Sequence, residues 1–168
     1  QTFNGSVGWG NRVTATISRN GDLISRAYLE MKVTGGTTLV PMVGLKAVKY
    51  VELEIGGQKI DKHYGEWMYI WNELSMPVGK KQAYYNMVGG KGMTVASTMY
   101  VPLEFWFCRN VGLALPLIGL QYHEVKVNIQ FAPDSEVADA AATAGKLECS
   151  LWVDYVYLDT DERRKFAQ

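Results

Sequence analysis

The feature that most constrains this chain is an alternation of apolar and polar residues with a period of two, repeated in short runs. "RVTATIS" sets Val13, Ala15 and Ile17 against Arg12, Thr14, Thr16 and Ser18. "LISRAYLEMKV" places Leu23, Ala27, Leu29, Met31 and Val33 on one side, and "VKYVELEI" alternates Val51, Leu53 and Ile55 with Glu52 and Glu54. Successive side chains of a strand point to opposite faces, so each run predicts a strand with one buried and one solvated face. Asn20-Gly21 between the first two runs predicts a tight hairpin, and Gly56-Gly57 predicts another leading into "QKIDKHY". "TMYVPLEFWF", "HEVKVNIQF" and "LECSLWVDYVYL" supply three more strands. Pro102 marks an edge or a bulge in the first of them, because proline cannot donate to a ladder.

Helical signals are few. In "GEWMYIWNELS" the residues Trp67, Ile70, Trp71 and Leu74 recur at i, i+3, i+4 and i+7, which predicts a helix with one apolar face. In "DTDERRKFAQ" Asp159 or Thr160 is placed to cap a terminal helix, with Asp161 and Lys165 as an i,i+4 pair. Val111–Leu120 reads as a helical turn broken by Pro116. Glycine- and small-residue-rich loops are expected at 34–44, 77–97 and 133–146, the last with a helical turn in "EVADAAA". With no βαβ rhythm, the fold class is all-β. The expectation is one domain over 1–168, an antiparallel eight-stranded jelly-roll sandwich with short helical insertions and long loops. A chain of 168 residues is long enough for such a core.

The remaining patterns exclude more than they assign. Seventeen basic residues balance seventeen acidic ones, so the chain carries no electrostatic footprint for nucleic acid and no polybasic membrane patch. The longest apolar run, Val111–Leu120, is too short for a bilayer span and holds Pro116 and two glycines. Cys108 and Cys149 rule out a disulfide-dense scaffold, and neither sits in a zinc-knuckle spacing. His123-Glu124 resembles a general-base pair only on paper: neighbours along a strand diverge. His123 shares a face with Val125, Val127, Ile129 and Phe131 and is read as a satisfied core histidine, and His63 likewise. Asp154, Asp159, Asp161 and Glu162 do not match a calcium loop, and Asp161 and Glu162 suit a helix N-terminus. Cys108 is read as a structural thiol. "GGKG" at 89–92 lacks the context of a phosphate loop. Asn4-Gly5-Ser6 is an N-glycosylation acceptor pattern. No catalytic residue, cofactor or metal is therefore expected, and a binding or structural role stands ahead of an enzyme. Five tryptophans and ten tyrosines leave two readings open: packing and subunit contact, or a carbohydrate-binding jelly-roll module. A cupin-type metal enzyme would need more than two histidines.

Four stretches, in order, resemble the first jelly roll of the major capsid proteins of nucleocytoplasmic large DNA viruses. They are "QTFNGSVGWGNRVTATISRNGDLI", "VELEIGGQKIDKHYGEWM", "YVPLEFWFCRNVGLALPLIGLQYHEVKVNI" and "LWVDYVYLDTDERRKFAQ". The resemblance implies a structural protein of the virion's outer icosahedral shell, assembled in the host cytoplasm. Three copies, each with two sandwiches, would form a pseudo-hexagonal capsomer. Its partners would be its own copies, neighbouring capsomers and minor capsid proteins, with no direct nucleic-acid contact and no membrane insertion. The chain then corresponds to the N-terminal half of a double jelly-roll protein. Arg109 and Asn110 would lock the turn after "FWF" by hydrogen bonds, and Pro116, His123, Asp154 and Asp159 would be structural members of the same motifs. Val111 stands where the family commonly has proline, and Gly119 where it commonly has alanine. The loops at 34–44, 77–97 and 133–146 would form the exposed tower or subunit contacts.

Overall fold

The alternating runs become strands that close around their apolar faces. A computed structural model describes residues 1–36, 38–92, 97–139 and 144–168. Its strands are β1 (Arg12–Thr16), β2 (Leu23–Thr34), β3 (Val48–Ile55), β4 (Gln58–Tyr64), β5 (Ser97–Pro102), β6 (Leu115–Pro116), β7 (Val125–Phe131) and β8 (Lys146–Val156). One sheet has the order β1-β7-β3-β4. In the other, β2 lies between β8 and β5, and the two-residue β6 pairs with Leu23 and Ile24 at the start of β2. Every pairing between these strands is antiparallel. The inner faces meet in one core. Val13, Ala15, Val51, Leu53, Val127 and Ile129 come from the first sheet, and Ala27, Leu29, Met31, Met99 and Leu151 from the second. Apart from the β3–β4 pair, neighbouring strands come from distant parts of the sequence, the mark of a jelly roll.

The Gly56-Gly57 hairpin forms as expected. Ile55 pairs with Gln58, and the two glycines take φ of +60° and +81°, the left-handed region a two-residue hairpin turn demands. Asn20-Gly21 does not make a hairpin. β1 pairs with β7 while β2 pairs with β5 and β8, so this segment carries the chain from one sheet to the other. Gly21 is needed for closeness: a Cβ there would lie 2.5 Å from Cβ of Tyr155. Pro102 is the last residue of β5, which pairs with β2 alone, so the proline sits on an edge.

Three other expectations are corrected. "TMYVPLEFWF" is not one strand: it ends at Pro102 and turns into the short helix α4 (Trp106–Arg109). The stretch 77–97 is not all loop, because Val78–Met87 forms helix α3. β7 begins at Val125, so His123 lies in the preceding turn and is exposed, not on the core face. The strand period fails there because the turn Leu117–Leu120 feeds the backbone in at a different angle; His123 N–H donates to the Leu120 carbonyl.

The remaining helices are α1 (Val43–Lys46), α2 (Gly65–Ser75) and α5 (Thr160–Ala167). Val111–Leu120 resolves into two 3-10 turns flanking β6. Near "EVADAAA" a 3-10 turn covers Asp134–Glu136, while 140–143, like 37 and 93–96 in the other expected loops, lie outside the described residues. No helix among the described residues is long and apolar enough to cross a membrane.

Candidate assembly surface

Helix α2 carries the expected apolar stripe but turns it outward. At 100° per residue, Trp67, Ile70, Trp71 and Leu74 lie opposite Gly65, Met68 and Asn72. The second set is buried. Leu74 is 80% exposed, Trp67, Tyr69 and Ile70 are also exposed, and so is Val78 in the segment that follows. Gly65 fixes this rotation. A Cβ there would lie 2.4 Å from the Leu45 carbonyl oxygen and 2.6 Å from that of Val48, so only glycine lets the helix start press onto the α1–β3 backbone. Beside the strip, a groove of about 860 Å³ is lined by Met42, Leu45, Tyr69, Ile70 and Tyr85, together with Lys46, Lys49 and Glu66.

Beneath α2 the packing is polar. Asn72 Nδ2 donates to the Met68 carbonyl (2.7 Å) and to the Tyr84 hydroxyl (3.0 Å), and reaches Glu104 Oε1 at 3.4 Å. Burial pushes the Glu104 carboxyl above its ordinary range, against the pull of Asn72 and Arg109. Arg109 lays its guanidinium over Trp71, 4.2 Å from the ring centroid, a cation–π contact joining α4 to α2. The turn lock comes from its neighbour: Asn110 Oδ1 accepts the Gly112 N–H at 3.0 Å. His63 lies buried on β4, its ring stacked on Phe105.

The other singled-out residues are spread over the molecule. Pro116 sits in β6 opposite Leu23. Asp154 accepts the Tyr28 hydroxyl at 3.1 Å across the β2–β8 ladder. Asp159 caps α5, its Oδ1 taking the Glu162 N–H at 2.9 Å. Asn4 is exposed, its backbone bridged to Thr14 just before a bend at Gly5. Burial raises both thiols to about 12, so Cys108 and Cys149 are poor nucleophiles at neutral pH. Among the described residues no group of three His, Cys, Asp or Glu is placed to hold a metal.

Two acidic residues matter more than the sequence suggested. Asp22 accepts the Leu158 N–H at 2.7 Å and Arg163 Nε at 3.0 Å, tying the exit from β8 and helix α5 to the sandwich. The Leu158 amide holds its carboxyl below the usual range. This ion pair forms where the sequence had suggested Asp161–Lys165. Glu52, on the outer face of β3, is 1% exposed beneath Arg12, Lys59 and Lys62, at 3.4 to 3.7 Å. The hairpin register, Glu52 opposite Lys62, was the available signal for it.

Comparison with known proteins matches this chain. The family described as "Major capsid protein N-terminus" covers residues 1–159. The major capsid protein of Pyramimonas orientalis virus is 52% identical over all of this chain and 45% of its own length. That of Paramecium bursaria Chlorella virus 1 is 45% identical over all of this chain and 41% of its length. The quasi-atomic model of the PBCV-1 virus capsid overlays the whole chain with a TM-score of 0.88 and 41% identity, over 43% of the capsid chain. The Faustovirus major capsid protein shares the fold alone, with a TM-score of 0.78 at 10% identity, covering 96% of this chain and 54% of its own. The chain thus spans less than half the length of these curated relatives, and it belongs to the major capsid protein N-terminal family of large DNA viruses.

Proposed function

We propose that this chain is one jelly roll of a protein that builds the outer shell of an icosahedral virion, and that it works by assembly rather than by chemistry. The observation that carries the reading is the overlay of the entire chain on a subunit of the PBCV-1 virus capsid at 41% identity. A second jelly roll in the same polypeptide would account for the remaining length of the relatives. Three such subunits would form a pseudo-hexagonal capsomer, with neighbouring capsomers and minor capsid proteins as further partners and assembly in the host cytoplasm. Apolar side chains left bare on α2 suit such contacts, since isolated large apolar surfaces are uncommon on soluble monomers.

Light scattering on the full-length gene product tests this. The expected result is a trimer whose subunit is more than twice the length of this chain, as in the relatives of which it spans 45%. A full-length product that stays monomeric at every concentration would remove the capsomer reading.

A further inference from the structure

His63 occupies a position that shell building does not explain. It sits on β4 opposite Val51, 6% exposed, where the alternation of the strand turns it inward. Its ring stacks on Phe105 with centroids 5.0 Å apart, and Phe105 stacks in turn on Phe107 at 5.8 Å. Phe105 and Phe107 flank the start of α4. Nε2 lies 3.2 Å from Asp61 Oδ2, which makes it the donor of a neutral imidazole. Nδ1 is buried and has no hydrogen-bond partner among the described residues. The charged groups that act on the ring are Asp61 from β4 and Arg109 from α4.

We propose that His63 is an acid-sensitive catch: protonation of its buried ring loosens α4 from the corner formed by β4 and α2. The added proton must go to Nδ1, where it meets aromatic packing and no acceptor. A buried donor left unpaired is costly, and a charged one more so. Asp61 already takes the Nε2 proton and only partly offsets this, while Arg109 opposes it. Burial, followed by Arg109, accordingly lowers the affinity of the ring for a proton. The sign follows. A histidine whose folded-state affinity is depressed stabilises the closed corner at pH above its ordinary value of 6.5. That contribution drains away as pH falls below 6.5, because the opened state takes up the proton more readily. Release of His63 frees Phe105, and with it the Arg109–Trp71 contact that ties α4 to the bare face of α2. Acidification would therefore alter the strip offered to partners by loosening the Phe105 edge of the core.

The test is hydrogen exchange on the full-length protein at pH 7.5 and pH 5.0, corrected for intrinsic amide rates. Wild type should show faster opening of residues 105–109 and of α2 at pH 5.0. The increase should run from a few-fold up to about thirtyfold, the ceiling an opened-state pKa of 6.5 allows at that pH. His63→Gln keeps a side-chain donor for Asp61 but cannot titrate, and it should abolish the difference. Equal corrected protection at both pH values in wild type would overturn the proposal. So would faster opening at pH 5.0 that persists in His63→Gln, which would place the titrating group elsewhere; Glu104 would act in the opposite sense, since burial raises its carboxyl and acid would then favour the closed corner. Should that variant fail to fold, NMR titration of wild type decides: His63 must titrate below the ordinary histidine value of 6.5, and a midpoint at or above it would overturn the proposal.

Discussion

The space between the two sheets and the corner under α2 are built on opposite rules. Between the sheets, apolar side chains face inward and polar ones outward, as at Val51 and Leu53 against Glu54. At the corner, Asn72, His63 and Glu104 lie inside, while Trp67, Ile70 and Leu74 look out. The difference shows that an apolar pattern reports burial directly only where geometry leaves one choice. A strand closed into a sandwich has two faces, one of which must meet the opposite sheet. A helix laid on the outside of that sandwich can rotate, and here one glycine sets its rotation.

The largest test of this contrast is Phe131→Ala. Phe131 is fully buried on β7, and its truncation should cost about 3–5 kcal/mol in denaturant unfolding of the full-length protein. A cost under about 1 kcal/mol would mean the inter-sheet space collapses freely and is not a close-packed core. Next is Gly65→Ala. The carbonyls of Leu45 and Val48 leave no room for a Cβ, so this variant should lose about 1–3 kcal/mol although alanine is the better helix former. A stabilised variant would show that something other than Gly65 orients α2. The smallest effect is expected for Leu74→Ser. With 80% of the residue exposed, unfolding free energy should move by no more than about 0.5 kcal/mol, while the oligomer measured by light scattering weakens. Substantial destabilisation of a monomeric form would mean the stripe is covered within its own subunit, and the contrast between the two regions would fail.

Legibility followed the same division. Period two placed Val13, Ala15, Leu29, Met31, Leu53 and Val127 correctly because each strand meets the core with every second residue. The Gly56-Gly57 turn was legible because two consecutive left-handed residues have few other uses. The turn at Asn20-Gly21 misled because the same dipeptide serves a crossing between sheets, and only the pairing partners of β1 and β2 distinguish the two. His123 was misplaced because period two was extended past the true start of β7. Of the candidate surface, the residues of the stripe were visible and its direction was not. Asp22 gave no warning, since its partners Leu158 and Arg163 lie far along the chain.

By itself the sequence determined the sheet-forming segments, the apolar content of each inner face, the Asp159 cap and the long motifs that mark the family. These follow from local rules: side chains alternate along a strand, a carboxylate accepts a helix N-terminal amide, and a motif is read in order. The tertiary structure alone decided which strands became neighbours, which way α2 faces, that Glu52 and Asp22 are buried among partners, and that the buried His63 keeps one ring nitrogen unpaired. Those outcomes depend on which distant backbone lies within a few ångströms, as the Leu45 and Val48 carbonyls do at Gly65. Loop closure over such separations is set by the global fold, and no local window of residues contains it.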